Sequence, residues 1–165
     1  ARARLGPRRP SVFAAPRRPM LSFGTYAQAN AWGKSLGPEG GGGLSKQAWH
    51  LMPKIREIDS LIDPADQDRI GEGHPEVAFA RLNAGPCAHP KRSPEGVRER
   101  MLILKRAGVA DPAALIERAG RAAKADDVLD ALALCLTAAA RLDGSAWRLG
   151  DGARDARGLV MEIWG

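Results

Sequence analysis

The sequence predicts an α/β fold, and three observations carry that expectation. Apolar residues recur at three-four spacing in several segments, most regularly from about Asp127 to Arg141. Strand-like stretches stand at Arg69-Ile70-Gly71 and at Gly158-Leu159-Val160-Met161-Glu162-Ile163-Trp164. Turn and cap signals divide these stretches: Asp63-Pro64, Gly85-Pro86, Ser93-Pro94 and Asp111-Pro112.

Residues 1–20 form a basic, irregular lead-in. No acidic residue occurs from Ala1 to Pro38, while Arg2, Arg4, Arg8, Arg9, Arg17 and Arg18 crowd the beginning. Pro7, Pro10, Pro16 and Pro19 spoil the amphipathic helix that a mitochondrial transit peptide would need. A helix is expected around Tyr26 to Leu36. The glycine-rich stretch 37–43 resembles a phosphate-cradling loop in composition, yet no lysine-serine or lysine-threonine pair follows it, so it reads as a flexible connection. Ser45 can cap a helix over residues 46–62, with Pro53 kinking it and Ala48, Leu51, Met52, Ile55, Ile58 and Leu61 on its apolar side.

Beyond the turn at Asp63-Pro64, the strand candidate 69–71 leads into Glu72-Gly73-His74-Pro75-Glu76, which places those acids where a strand gives way to a loop. A short element carries Leu82 and Asn83. Ser93-Pro94-Glu95 opens a helix with Val97, Met101 and Leu104 on its buried stripe, and Gly108 stops it. Asp111-Pro112 opens another that ends at Gly120. In the helix that follows, Asp126 is placed as the cap, and Val128, Ala131, Leu132, Cys135, Leu136 and Ala139 form the expected buried stripe.

A chain of 165 residues suits one domain with a sizeable core. Hydrophobic residues at 44% and charged residues at 27% exclude a chain disordered throughout. No apolar run reaches the roughly 20 residues of a membrane-spanning helix, so no membrane partner is expected. Cys87 and Cys135 are the only cysteines and form no C-x-x-C pair, which favours a reducing cytoplasm over a disulfide scaffold. A net charge of +6 has two explanations, a polyanionic partner or the arginine bias of a GC-rich genome.

Two acidic clusters carry the candidate chemistry. Asp127 and Asp130 project from one side of a first helical turn, and Glu72 stands nearest the expected strand end. Oxygen-only ligands suit Mg2+ or Mn2+, which assist phosphoryl transfer by polarising phosphate and activating water. The plain alternative is that the aspartates only favour a helix N-terminus. His74 reads as a general base, a metal ligand or a loop hydrogen-bonding residue. The basic residues Arg8, Arg9, Arg17, Arg18, Lys91 and Arg92 are candidates for contact with a nucleic-acid backbone, or are simply solvated.

Several motifs in a fixed order add a resemblance: Gly6-Pro7-Arg8-Arg9-Pro10-Ser11-Val12-Phe13, Leu44-Ser45-Lys46-Gln47-Ala48-Trp49, Pro53-Lys54-Ile55-Arg56-Glu57-Ile58-Asp59, His74-Pro75-Glu76, Asp126-Asp127-Val128-Leu129-Asp130-Ala131 and the stretch 158–164. Together they resemble the domain-of-unknown-function family 429, predicted nucleases with an RNase H fold. The resemblance implies an RNase H-like fold, helix-rich with few strands. It also implies a metal-dependent nuclease that hydrolyses nucleic-acid phosphodiester bonds, with Glu72, Asp127 and Asp130 as ligands of Mg2+ or Mn2+ and His74 orienting water or substrate. The segment from Asp127 to Ala133 is similar to the end of Holliday-junction resolvases. Two departures accompany the resemblance. Gly73 replaces a usual β-branched or apolar residue, and an aspartate-bearing first strand and an Asp-x-Pro-x-Gly-Leu motif are absent. An N-terminally truncated chain, inactive alone, is therefore expected, with a non-catalytic nucleic-acid-binding or regulatory protein as the alternative.

Overall fold

The computed structural model describes residues 1–37 and 42–165. Residues 38–41 of the glycine-rich stretch lie outside the described residues. Six α-helices are described: α1 (Tyr26–Ser35), α2 (Lys46–Leu61), α3 (Pro75–Leu82), α4 (Pro94–Arg106), α5 (Pro112–Ala119) and α6 (Ala125–Leu142). Two short strands, β1 (Arg148–Leu149) and β2 (Ile163–Trp164), pair antiparallel, Arg148 opposite Trp164. The architecture is helix-rich with few strands. No helix among the described residues is long and apolar enough to cross a membrane.

The chain packs as two compact units, each discontinuous in sequence. One comprises residues 1–11, 71–151 and 162–165, the other residues 12–70 and 152–161.

In the first unit, α6 packs against α3, α4 and α5. The core between them holds Ala78, Phe79, Ile103, Leu104, Leu129 and Ala133 together with Cys87, whose thiol burial pushes up to about 11. The sequence placed the buried stripe of α6 one position away from where it lies. Asp126, Leu129, Ala133, Thr137 and Ala140 are buried, while Ala131, Cys135 and Ala139 are exposed. Both stripes have helical spacing; the observed one wins because Leu132 and Leu136 can still reach the core from its flank. The basic lead-in is less irregular than expected. Residues Arg2–Ser11 form 3-10 turns broken at Gly6, and Leu5 is fully buried where these turns meet α3.

Three helices of this unit end in a cap in which the chain turns left-handed and the next N–H bonds back into the last turn. Gly108 (φ 98°) follows α4, and Val109 N–H donates to Leu104 C=O at 3.0 Å. Gly144 (φ 78°) follows α6, and Ser145 N–H donates to Ala140 C=O at 2.8 Å. After α3 the left-handed position is Ala84 (φ 53°), and Gly85 N–H donates to Ala80 C=O at 2.8 Å.

In the second unit, α1 and α2 close over Met20, Ala29, Leu44, Ala48 and Met52, ringed by Phe23, Tyr26, Trp32 and Trp49. Thr25 and Ser45 cap the two helices, Ser45 Oγ accepting from Ala48 N–H at 3.1 Å. Arg18 joins Asp59 and Asp155 in one ion-pair group. The expected strand at 69–71 is absent. Asp63 and Asp66 form a reciprocal capping box on a 3-10 turn (Pro64–Asp68), and the N–H groups of Arg69 and Ile70 donate to Asp66 C=O rather than to a ladder.

Replacing Ala84 by glycine removes the left-handed penalty at the end of α3. Ala84→Gly should therefore raise stability by about 1 kcal/mol, read as a higher urea midpoint with an unchanged slope.

Candidate functional site

The segment 72–74 is extended and bonded to the C-terminal strand in a parallel bridge between Gly73 and Trp164. Trp164 N–H donates to Glu72 C=O at 2.8 Å, and His74 N–H donates to Trp164 C=O at 3.0 Å. A Cβ at Gly73 would stand 2.6 Å from Leu134 Cδ2, so glycine here spares the end of that leucine a shift. The strand end that the sequence expected is thus displaced from 69–71 to this bridge. No loop follows it. Pro75 has no N–H to lose and opens α3 directly, with His74 as the preceding residue and Glu76 in the first turn.

That turn buries Glu76 against a buried cation. Arg100, fully inaccessible to solvent, donates to Glu76 Oε1 at 2.6 Å. Its Nη1 donates to the carbonyls of Gly96 and His89, and its guanidinium stands 5.3 Å from the Phe79 ring centroid. A signal for Arg100 existed in the sequence but was missed: it occupies the i+4 position of the stripe Gly96, Arg100, Ile103 and Leu104 on α4. Gly96 is also close-packed, since a Cβ there would overlap the Pro90 carbonyl. The loop 87–92 is thereby laid on α4. It is tied further by Glu99, whose carboxylate accepts from Ala88 and His89 N–H at 2.7 and 2.9 Å.

From this loop Lys91 and Arg92 reach the beginning of α6. Lys91 Nζ lies 2.6 Å from Asp130 Oδ2 and 3.6 Å from Asp126 Oδ2, and Arg92 Nε donates to Asp126 at 3.1 Å. Asp126 is therefore no cap; Lys124 precedes the helix and Asp126 is spent on the loop. His74 Nε2 lies 3.4 Å from Ser11 C=O, an oxygen that can only accept. In the neutral ring the proton then sits on Nε2, and Nδ1 keeps a bare lone pair. Burial lowers the His74 pKa, opposed by the Ser11 carbonyl, Glu76 and Asp130. Burial raises that of Asp130, against the pull of Lys91. Asp126 titrates below its usual range because Arg92 and Lys91 outweigh its desolvation. Three acceptor atoms in this corner are buried without a hydrogen-bond partner among the described residues: His74 Nδ1, Glu76 Oε2 and Asp130 Oδ1.

The structure brings together His74, Asp130, Lys91 and Arg92 of the expected site residues, and adds Glu76, Asp126 and Arg100. Glu72 and Asp127 stand apart. Glu72 is exposed to solvent, and partial desolvation raises its pKa with no charged group contributing to that shift. Asp127 is exposed and borders a shallow depression with Ile116 and residues 120–125. Among the described residues, no group of three or more His, Cys, Asp or Glu side chains is arranged to hold a metal ion.

Among the basic candidates, Arg9 and Arg17 are exposed. Arg8 donates to His89 C=O, and Arg18 is held by Asp59 and Asp155.

Removing one member of the Glu76–Arg100 pair leaves the other charge buried. Arg100→Met should cost about 3–5 kcal/mol, and the double variant Glu76→Leu/Arg100→Met should recover most of it in urea unfolding. The pH dependence follows from His74. Between its lowered pKa and the ordinary 6.5, the unfolded chain binds more protons than the folded one. Its contribution to stability is complete above that window and is lost as pH falls through it. Lowering pH from about 7.5 to about 5.5 should shift the urea midpoint further in the wild type than in His74→Gln.

Neither a curated protein nor a solved structure matches the chain. A family model described as "Protein of unknown function (DUF429)" matches residues 1–154, nearly the whole length, and the chain belongs to that family.

Proposed function

We propose that this chain is part of a nuclease with an RNase H-like fold that hydrolyses nucleic-acid phosphodiester bonds, and that its chemistry is centred where the His74 turn meets the first turns of α6. The observation that supports this reading best is the trio of buried acceptors without partners, His74 Nδ1, Glu76 Oε2 and Asp130 Oδ1. Each costs stability as it stands, and a site that uses them is the economical reason for keeping them.

In this reading, neutral His74 takes a proton from water at Nδ1, and Asp130, its pKa raised, exchanges protons with the same solvent. Lys91 and Arg92 face a phosphate as counter-charges. Magnesium or manganese is the ion the resemblance implies. The residues present do not make a complete set for it, since no three acidic or imidazole side chains converge among those described. Metal-dependent hydrolysis would therefore draw on further ligands.

One observation favours a second reading, a non-catalytic nucleic-acid-binding protein: Glu76, Asp126 and Asp130 are each paired with a basic side chain. End-labelled single-stranded DNA, duplex DNA and RNA, incubated with the protein and Mg2+, separate the two. Cleavage that falls about a hundredfold or more in Asp130→Asn supports the nuclease. Binding without cleavage, unchanged by chelator and weakened steeply by salt, selects the second reading. Neither binding nor cleavage would sink both.

A further inference from the structure

We propose that the outward face of α2 is a self-association surface, on which a second copy of this chain lays its own α2 antiparallel.

The inner face of α2 is fully engaged. Ala48 and Met52 are buried in the core of the second unit, Arg56 donates to the Leu21 and Phe23 carbonyls, and Asp59 pairs with Arg18. The outer face of such a helix is ordinarily polar. Here it carries Leu51, Ile58 and Leu61, at 42%, 53% and 71% exposure. Together with Lys54 they fall alternately three and four residues apart, the spacing of a seam between two helices. No other helix among the described residues carries more than one exposed large apolar side chain.

The charges on this face select the occupant. Among the described residues, the ion pairs of α2 run through Asp59. Lys54 and Glu57 are exposed and enter none of them. A second copy laid parallel would set Lys54 against the partner's Lys54, and the two ammoniums would repel. An antiparallel copy, related by a two-fold axis at the level of Arg56, instead sets Leu51 against the partner's Leu61. The same axis brings Lys54 within one residue, about 1.5 Å of helical rise, of the level of the partner's Glu57. It also lays Ile58 beside the aliphatic stem of the partner's Lys54. Each contact is made twice, as an isologous interface requires. The face is thus complementary to itself in both apolar pairing and charge.

This inference does not rest on the nuclease reading, and cleavage has no bearing on it. Sedimentation equilibrium of the full chain should show a monomer–dimer equilibrium. Lys54→Glu puts like charges at both symmetric positions and should weaken the dimer about tenfold. Lys54→Glu/Glu57→Lys should restore it, and Ile58→Asp should leave a monomer. A wild type that stays monomeric up to millimolar concentration overturns the proposal, and that reading needs no variant to fold. A dimer that Lys54→Glu or Ile58→Asp leaves intact, or that the double exchange does not restore, overturns it equally.

Discussion

A charge buried out of reach of water organises the first unit. Arg100 has lost its hydration entirely, and the fold compensates with the Glu76 carboxylate, two backbone carbonyls and an aromatic face. Because one of those carbonyls belongs to His89, the same guanidinium joins α4, the first turn of α3 and the loop that carries Lys91 and Arg92. The approach of that loop to α6 depends on this anchoring. Gly96 permits it sterically, since any side chain there would push away the Pro90 carbonyl.

The corner that results holds three acids and three bases: Glu76 paired with Arg100, and beside it Asp130, Lys91, Asp126 and Arg92 in a chain of alternating charge. Such a run is low in net charge but has strong local fields, because little water enters it. Its carboxylates are not fully satisfied. That separates it from the purely structural ion pairs of the second unit, where the Asp155 carboxylate accepts from Arg18, Arg157 N–H and Leu159 N–H. The excess of arginine has a related lesson. Arg8, Arg18 and Arg100 are engaged inside the protein, so the net charge of +6 overstates how many cations face a polyanion.

Much of the local structure was legible in the sequence. Thr25, Ser45, Ser93 and Asp111 accept the hydrogen bonds expected of helix caps, and Gly108 and Gly120 stop the helices they follow. These features depend on neighbours a few residues away. The strand at 69–71 failed for an equally local reason, since the Asp66 carbonyl accepts from the N–H groups of Arg69 and Ile70. The two acidic clusters were visible in the sequence, but their ion pairs were not: Asp126, Asp130 and Glu76 meet basic side chains while Asp127 is exposed, and only contact with α4 and its preceding loop decides this.

What the sequence determined by itself was therefore the family and the helices α1, α2, α4, α5 and α6, which reside in the order of motifs and in short-range hydrogen bonding, but not α3, which stands where a loop was expected. The tertiary structure alone decided which face of α6 is inside, that Arg100 goes in with its charge, and that Lys91 meets Asp130 across 39 positions of sequence. The physical reason is that burial and ion pairing are properties of the assembled interior. An aspartate at the start of a helix has the same local preferences whether it faces water or a lysine brought from a distant loop.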